Sequence, residues 1–204
     1  MNRNLSVPSL LLGVTLLAGC GADVPIAPVG EGFLGEAAES SQGSELQSLA
    51  VAAAYCDDVL TWDASWQSFE SQVLTLVNQK RAAGATCGGV AKPAAPALTL
   101  DTRLQCAARK HSKDMGTNNI FDHNGSDGST PWQRITNAGY TYTAAGENIA
   151  AGYSTPSAVV NGWMASTGHC NNIMNPNFKH LGVGYFYKAG STYSHYWTQD
   201  FGRQ

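Results

Sequence analysis

Charge is scarce in this chain of 204 residues: Asp, Glu, Lys and Arg together make up 13%, with 12 basic and 15 acidic side chains and no basic block. A nucleic-acid partner held by phosphate neutralisation therefore has no footprint here. Long apolar runs are also missing. The longest, Leu10 to Leu17, is too short to cross about 30 Å of hydrocarbon as a helix. No GxSxG elbow, HExxH helix or CxxC pair occurs, so the familiar hydrolase, metalloprotease and thiol signatures are absent. No internal repeat is visible. What remains is 43% hydrophobic and 9% aromatic, the composition of a globular domain.

The first residues read as an export signal. Arg3 gives a short positive region, the run from Leu10 follows, and Leu17-Ala18-Gly19-Cys20 closes it with two small residues and a cysteine. That ending resembles the lipobox of bacterial lipoproteins, which makes residues 1–19 a signal peptide and Cys20 the lipidated first residue of the mature chain. A membrane contact through that anchor is expected, at the outer membrane in a Gram-negative cell because Gly21 follows the cysteine. Residues 20–55 carry Asp23, Glu31, Glu36, Glu39 and Glu45 with no Lys or Arg, together with Pro25, Pro28 and several Gly and Ser. With few large apolar groups to offset the entropy of ordering, they are expected to form a flexible acidic tether. From Cys56 onward the balance turns to eleven basic against ten acidic residues, and all five Trp lie there. The folded domain is expected over 56–204.

Assigning Cys20 to lipid leaves Cys56, Cys87, Cys106 and Cys170, an even number in an exported chain, and disulfides follow. Of three possible pairings the shortest loop favours Cys87 with Cys106, and hence Cys56 with Cys170.

Apolar residues at helical spacing predict a helix from Trp66 to Gly84 and a second from Asp101 through Met115, with His111 on its apolar face as a hydrogen-bonded core residue. Thr130-Pro131-Trp132-Gln133 reads as a capping box opening a short helix that Gly139 ends. Thr155-Pro156 opens another, broken at Gly168. After residue 180 the pattern alternates, and a turn at Gly190-Ser191 predicts a terminal antiparallel hairpin, with His180 and His195 at strand edges or on the surface. Helices first and paired strands last make an α+β domain.

Three polar residues fit no purely structural account: His123 after Phe121, Glu147 within Gly146-Glu147-Asn148, and His169 between Gly168 and Cys170. All are expected at irregular junctions. Glutamate is rare past residue 55, where only Glu70 and Glu147 occur. A glutamate followed by Ile149-Ala150-Ala151 is expected to be partly buried, and burial demands a partner that an imidazole can supply.

The segments His111-Ser112-Lys113-Asp114-Met115, Phe121-Asp122-His123, Gly146-Glu147-Asn148-Ile149-Ala150, Trp163-Met164 with Gly168-His169-Cys170-Asn171-Asn172-Ile173-Met174, and His180-Leu181-Gly182-Val183-Gly184-Tyr185 resemble the CAP superfamily of cysteine-rich secretory, antigen 5 and pathogenesis-related proteins, in its bacterial extracellular branch. The resemblance covers roughly residues 69 to 202. It implies a three-layer α-β-α sandwich with a cleft lined by two His and two Glu. His123, Glu147 and His169 match three of those positions. The fourth, a second Glu in many eukaryotic members, is Ser166 here, which cannot supply the charge. The expected cleft is therefore His123, Glu147, His169 and Ser166, with zinc or another divalent ion at His123 and His169. Family members include sterol and lipid binders, and protease activity has been proposed for some. Two functions follow: an extracytoplasmic, surface-tethered binder of a lipid, peptide or envelope component, or a metal-dependent hydrolase with Glu147 as general base.

Overall fold

The computed structural model describes residues 35–204, with side chains from residue 43. The signal segment, the lipidation site Cys20 and the first part of the expected tether lie outside the described residues. The rest of that tether is not a coil: helix α1 (Gly35–Leu60) runs through it into the domain. The stretch 43–51 is exposed throughout, and the first fully buried side chains are Cys56 and Val59. The solvated character expected from composition is there, but in helical form, because the Ala-, Glu- and Gln-containing segment has good helix formers and no proline after Pro28.

Helix α2 (Ala64–Ala83) starts at Asp63, whose carboxylate accepts the backbone N–H groups of Ser65 and Trp66, and stops at Gly84 with φ 73°. A small hairpin of β1 (Ala85–Cys87) and β2 (Val90–Lys92) follows, then β3 (Thr99–Leu100). Helix α3 (Thr102–Asn118) is capped by Asp101 and buries Leu104, Ala107, Ala108, His111 and Met115, the face expected from spacing. Helix α4 (Pro131–Asn137) carries the full capping box of Thr130 and Gln133. Strand β4 (Ala144–Ala151) precedes α5 (Pro156–Ala165), which breaks at Ser166 rather than Gly168 and resumes as α6 (Thr167–Ile173). Strands β5 (His180–Tyr187) and β6 (His195–Arg203) form the expected hairpin.

The main sheet has the order β3-β5-β6-β4, so β4 is an edge strand paired antiparallel with β6. On one face Leu181, Val183, Tyr185, Trp197 and Phe201 pack against α2, α5 and α6 in a core with Val73, Val159 and Trp163. On the other face α3 lies directly on the sheet. It can do so because β5 carries Gly182 and Gly184, where a Cβ would overlap the backbone of Leu104, Gln105, Ala108 and Arg109. A second core joins α1, α3 and α4 through Val59, Leu104 and Ile135. Helices thus cover both faces of a central sheet, the α-β-α layering expected.

The disulfides differ from the expected pairing: Cys56 bonds Cys106 and Cys87 bonds Cys170. The two cores explain this. Cys56 on α1 and Cys106 on α3 share one, whereas Cys87 on β1 and Cys170 on α6 share the other. The sequence separations are 50 and 83 residues. Each crosslink is worth about 4 kcal/mol on the loop-entropy scale, more than the short loop would have given.

Candidate functional site

The candidate site is built across the free edge of β4. Two of its outward carbonyls are covered. Asn172 donates its amide N–H to Glu147 O at 3.3 Å, and Trp163 donates its indole N–H to Ile149 O at 3.2 Å. The turn residues before α4 bring His123 over this edge from the α3 side. Helix α6 brings His169 up from the opposite side, where Asn148 donates to its backbone carbonyl at 3.2 Å. Glu147 therefore sits inside a strand and His169 inside a helix, not at the irregular junctions expected; of the three, only His123 lies in a loop.

Glu147 is the hub. Its side chain is 2% exposed, and each carboxylate oxygen is taken: His123 Nδ1 lies 2.7 Å from Oε1, and Arg134 Nη2 donates to Oε2 at 2.8 Å. Arg134, on α4, also donates to the carbonyls of His123 and Ser129 at 2.8 Å each, so one guanidinium fixes both the carboxylate and the loop that carries its histidine. Burial pushes the Glu147 carboxyl up, but the His123 hydrogen bond and the nearby His111 and Arg134 outweigh it and hold it below the usual glutamate value. The Glu147 hydrogen bond raises the His123 pKa. His111 is fully buried with Nε2 2.9 Å from the Asp122 carbonyl, the core role expected, and burial pushes it down to about 4. His169 is half-buried; burial and the charge of His123 both lower its pKa.

A hollow of about 450 Å³ opens beside this cluster. His123, Glu147, Asn124, Thr130, Trp132 and Asn172 line it, with Trp132 44% exposed at its rim and the Tyr142 ring 6.5 Å away. The His123 side chain is 52% exposed, and with Nδ1 committed to Glu147 its Nε2 is left for the hollow. Of the four cleft residues expected, the structure joins His123 and Glu147 in direct contact and sets His169 nearby. Ser166 lies at the α5–α6 break without a capping bond, and neither it nor His169 lines the hollow. Two members were missed. Arg134 reads in sequence as an ordinary surface residue of a short helix, and Asp200 stands opposite Glu147 in the β4–β6 ladder. The capping box was the one signal available for Arg134, since it fixes the start of α4 and hence which side chains face inward.

A divalent ion meets a poor donor set here. Both Glu147 oxygens are taken and His123 Nδ1 is committed, so only two imidazoles remain, one ligand each, short of the three protein ligands of a catalytic zinc. Among the described residues no group of three His, Cys, Asp or Glu side chains converges to hold a metal. The described residues do not fit a resident ion.

A sheet covered by helices on both faces, with a histidine presented to solvent by a buried carboxylate at its edge, defines an α+β domain of the SCP type. The chain belongs to the cysteine-rich secretory protein family, CAP, whose pattern it matches over residues 74–201. It is 40% identical over 138 residues to an uncharacterized protein, YkwD, of Bacillus subtilis, and 34% identical over 140 residues to an uncharacterized membrane protein, YlbC, of the same organism. These matches cover 68% and 69% of this chain but only 48% and 36% of those proteins, so the chain spans half of those relatives or less. Among solved structures it is similar to an extracellular SCP-domain protein of Bacillus anthracis, with 32% identity and a TM-score of 0.55 over 68% of this chain and 41% of that one. An outer surface protein of Borrelia burgdorferi shares the fold at 20% identity and a TM-score of 0.53, covering 68% of this chain and 91% of that one.

Proposed function

We propose that this domain is a ligand-binding module working outside the cytoplasm, and that the hollow at the β4 edge takes a lipid, peptide or cell-envelope component against His123 and Trp132. The observation that carries this reading is the saturation of Glu147. A carboxylate held by a donor on each oxygen and only 2% exposed in its side chain is poorly placed to activate water, whereas His123 Nε2 and the Trp132 face are open to a ligand. The hydrolase reading needs Glu147 as general base and an ion at the histidines, and the donor geometry favours neither.

Two buried disulfides support an oxidising compartment, and the similar Bacillus anthracis protein is described as extracellular. Export and anchoring through a lipidated Cys20 complete the proposal; intact mass of the mature protein should show acyl chains on that residue, and an unmodified Cys20 would remove the anchor.

Binding is tested by the fluorescence of the purified protein on titration with peptidoglycan fragments, short peptides and phospholipid vesicles. One of these probes should give a saturable change that His123→Ala abolishes. A response unaffected by His123→Ala would place binding elsewhere. Turnover of peptidoglycan, casein or an ester, lost in Glu147→Gln, would replace this reading with the hydrolase.

A further inference from the structure

Glu147 has a carboxyl neighbour that does not reach the hollow. In the β4–β6 ladder Asp200 is its direct partner, which puts both side chains on the α3 face of the sheet with Cβ atoms about 5 Å apart. Toward β5 the partner of Asp200 is Gly182, which offers no side chain, and α3 closes over that glycine. Asp200 is fully buried, and neither of its carboxyl oxygens accepts a hydrogen bond among the described residues.

The groups facing it come from three elements: Glu147 of β4, Arg134 of α4 and Tyr55 of α1. His111 of α3 adjoins the same cluster through its interaction with Glu147 and Arg134. Of these, Arg134 is the constant cation; its Nη groups are bonded to Glu147 and to two carbonyls, and its Nε, though buried without a partner, bonds neither Asp200 oxygen. An ionised carboxylate with no donor, beside a second carboxylate, is a very costly arrangement in a protein interior. One proton removes both difficulties. It discharges Asp200 and turns it into a donor whose neighbouring acceptor is Glu147.

We propose that Asp200 is a buried carboxylic acid that donates its proton to the Glu147 carboxylate, and that it is the positioning residue completing a three-donor clamp on Glu147. His123, Arg134 and Asp200 then hold the carboxylate from the loop, from α4 and from β6. The clamp keeps Glu147 ionised and turned toward His123, so His123 is the member of the cluster through which its charge reaches the hollow. Burial and the Glu147 charge push the Asp200 pKa well above the usual aspartate value, in keeping with this state. The inference rests on the geometry of the cluster and stands apart from whether a ligand binds in the hollow.

The test is NMR of the intact folded protein with 13C-labelled aspartate carboxyl carbons, followed from about pH 5 to about pH 8. One resonance should stay in the protonated range at neutral pH and be missing from Asp200→Asn. Because the folded protein holds this proton more tightly than the unfolded chain, Asp200 makes stability fall as pH rises through the window above the ordinary aspartate value. Asp200→Asn, whose carboxamide keeps a donor in the same place, should fold, retain at least the wild-type Tm at neutral pH, and lose that decline. Asp200→Ala should lower Tm, since Glu147 loses a donor. Wild-type protein with every aspartate ionised at neutral pH, a protonated resonance that survives in Asp200→Asn, or failure of Asp200→Asn to fold would overturn the proposal.

Discussion

Glu70 and Glu147 are the only glutamates beyond residue 55, and each is buried against an arginine, yet they do different work. Glu70, on α2, takes Arg109 of α3 at 2.6 Å, the Gln105 amide at 3.1 Å and the Tyr185 backbone N–H at 3.2 Å. Arg109 is itself roofed by Trp62, so the charged partner stays in the interior. Glu147 has Arg134 on one oxygen, but the other goes to a histidine whose side chain is half exposed. Their acidities diverge accordingly. Burial raises the Glu70 carboxyl despite Arg109, whereas at Glu147 the His123 bond, His111 and Arg134 overcome burial and lower it. The same two residue types give a structural clamp between α2 and α3 in one place. In the other they give a site, because one donor leads out to solvent.

The sharpest way to break this comparison is to remove each arginine. Arg109→Met and Arg134→Met should each cost about 3–5 kcal/mol in urea unfolding, the penalty of leaving a buried carboxylate unpaired. A cost below about 1 kcal/mol at Arg134 would mean that water reaches Glu147 and that no buried hub exists. Next in size are the isosteric changes Glu70→Gln and Glu147→Gln, at about 1–3 kcal/mol each for partners left unsatisfied. The two should separate in binding, with only Glu147→Gln weakening the probe that His123 holds.

pH sharpens the contrast further, because the signs oppose. Glu147 has a folded pKa below its unfolded value, so its contribution is present above the ordinary glutamate range and disappears as pH falls through it. Glu70 has a raised folded pKa; its contribution is full below its unfolded value and declines as pH rises through the folded one. His111 adds to the acid limb. Held down to about 4 by burial, it binds fewer protons than the unfolded chain from the ordinary histidine value of 6.5 down to that value, and stability falls as pH drops across this window. Tm measured over that window should fall as the pH is lowered. The smallest stability effect belongs to His123→Ala. Its exposed side chain makes the cost at most about 1 kcal/mol, with loss of binding in the hollow.

Much of the helical framework was legible in sequence, because caps and apolar spacing are local. Asp101 and the Thr130–Gln133 box stand where the chain predicts helix starts, and α2 begins at Asp63, just before the expected Trp66. The α-β-α layering and the importance of His123 and Glu147 came from the family resemblance and the scarcity of glutamate. Strand β4 was not legible: AAGENIAA lacks the β-branched alternation of a half-buried strand, and its residues are small because Phe178 and Tyr196 fill the space beside them. Asp200 was hidden for a related reason. In Trp197-Thr198-Gln199-Asp200-Phe201 the polar Thr198 and Asp200 share one face of the strand, as if turned to water, but Gly182 and Gly184 let α3 close over that face. A short loop is the cheaper closure, but loop length alone does not say which cysteines the fold brings together. Two separate cores decided the pairing.

The claim on which the site rests is that His123 carries the charge of a buried carboxylate to the surface. An NMR titration of the histidine imidazole nitrogens tests it directly. His123 should titrate above the ordinary histidine value and His169 below it, and Glu147→Gln should bring His123 down while leaving the fold intact. A His123 that titrates at the ordinary value and does not respond to Glu147→Gln would contradict the account.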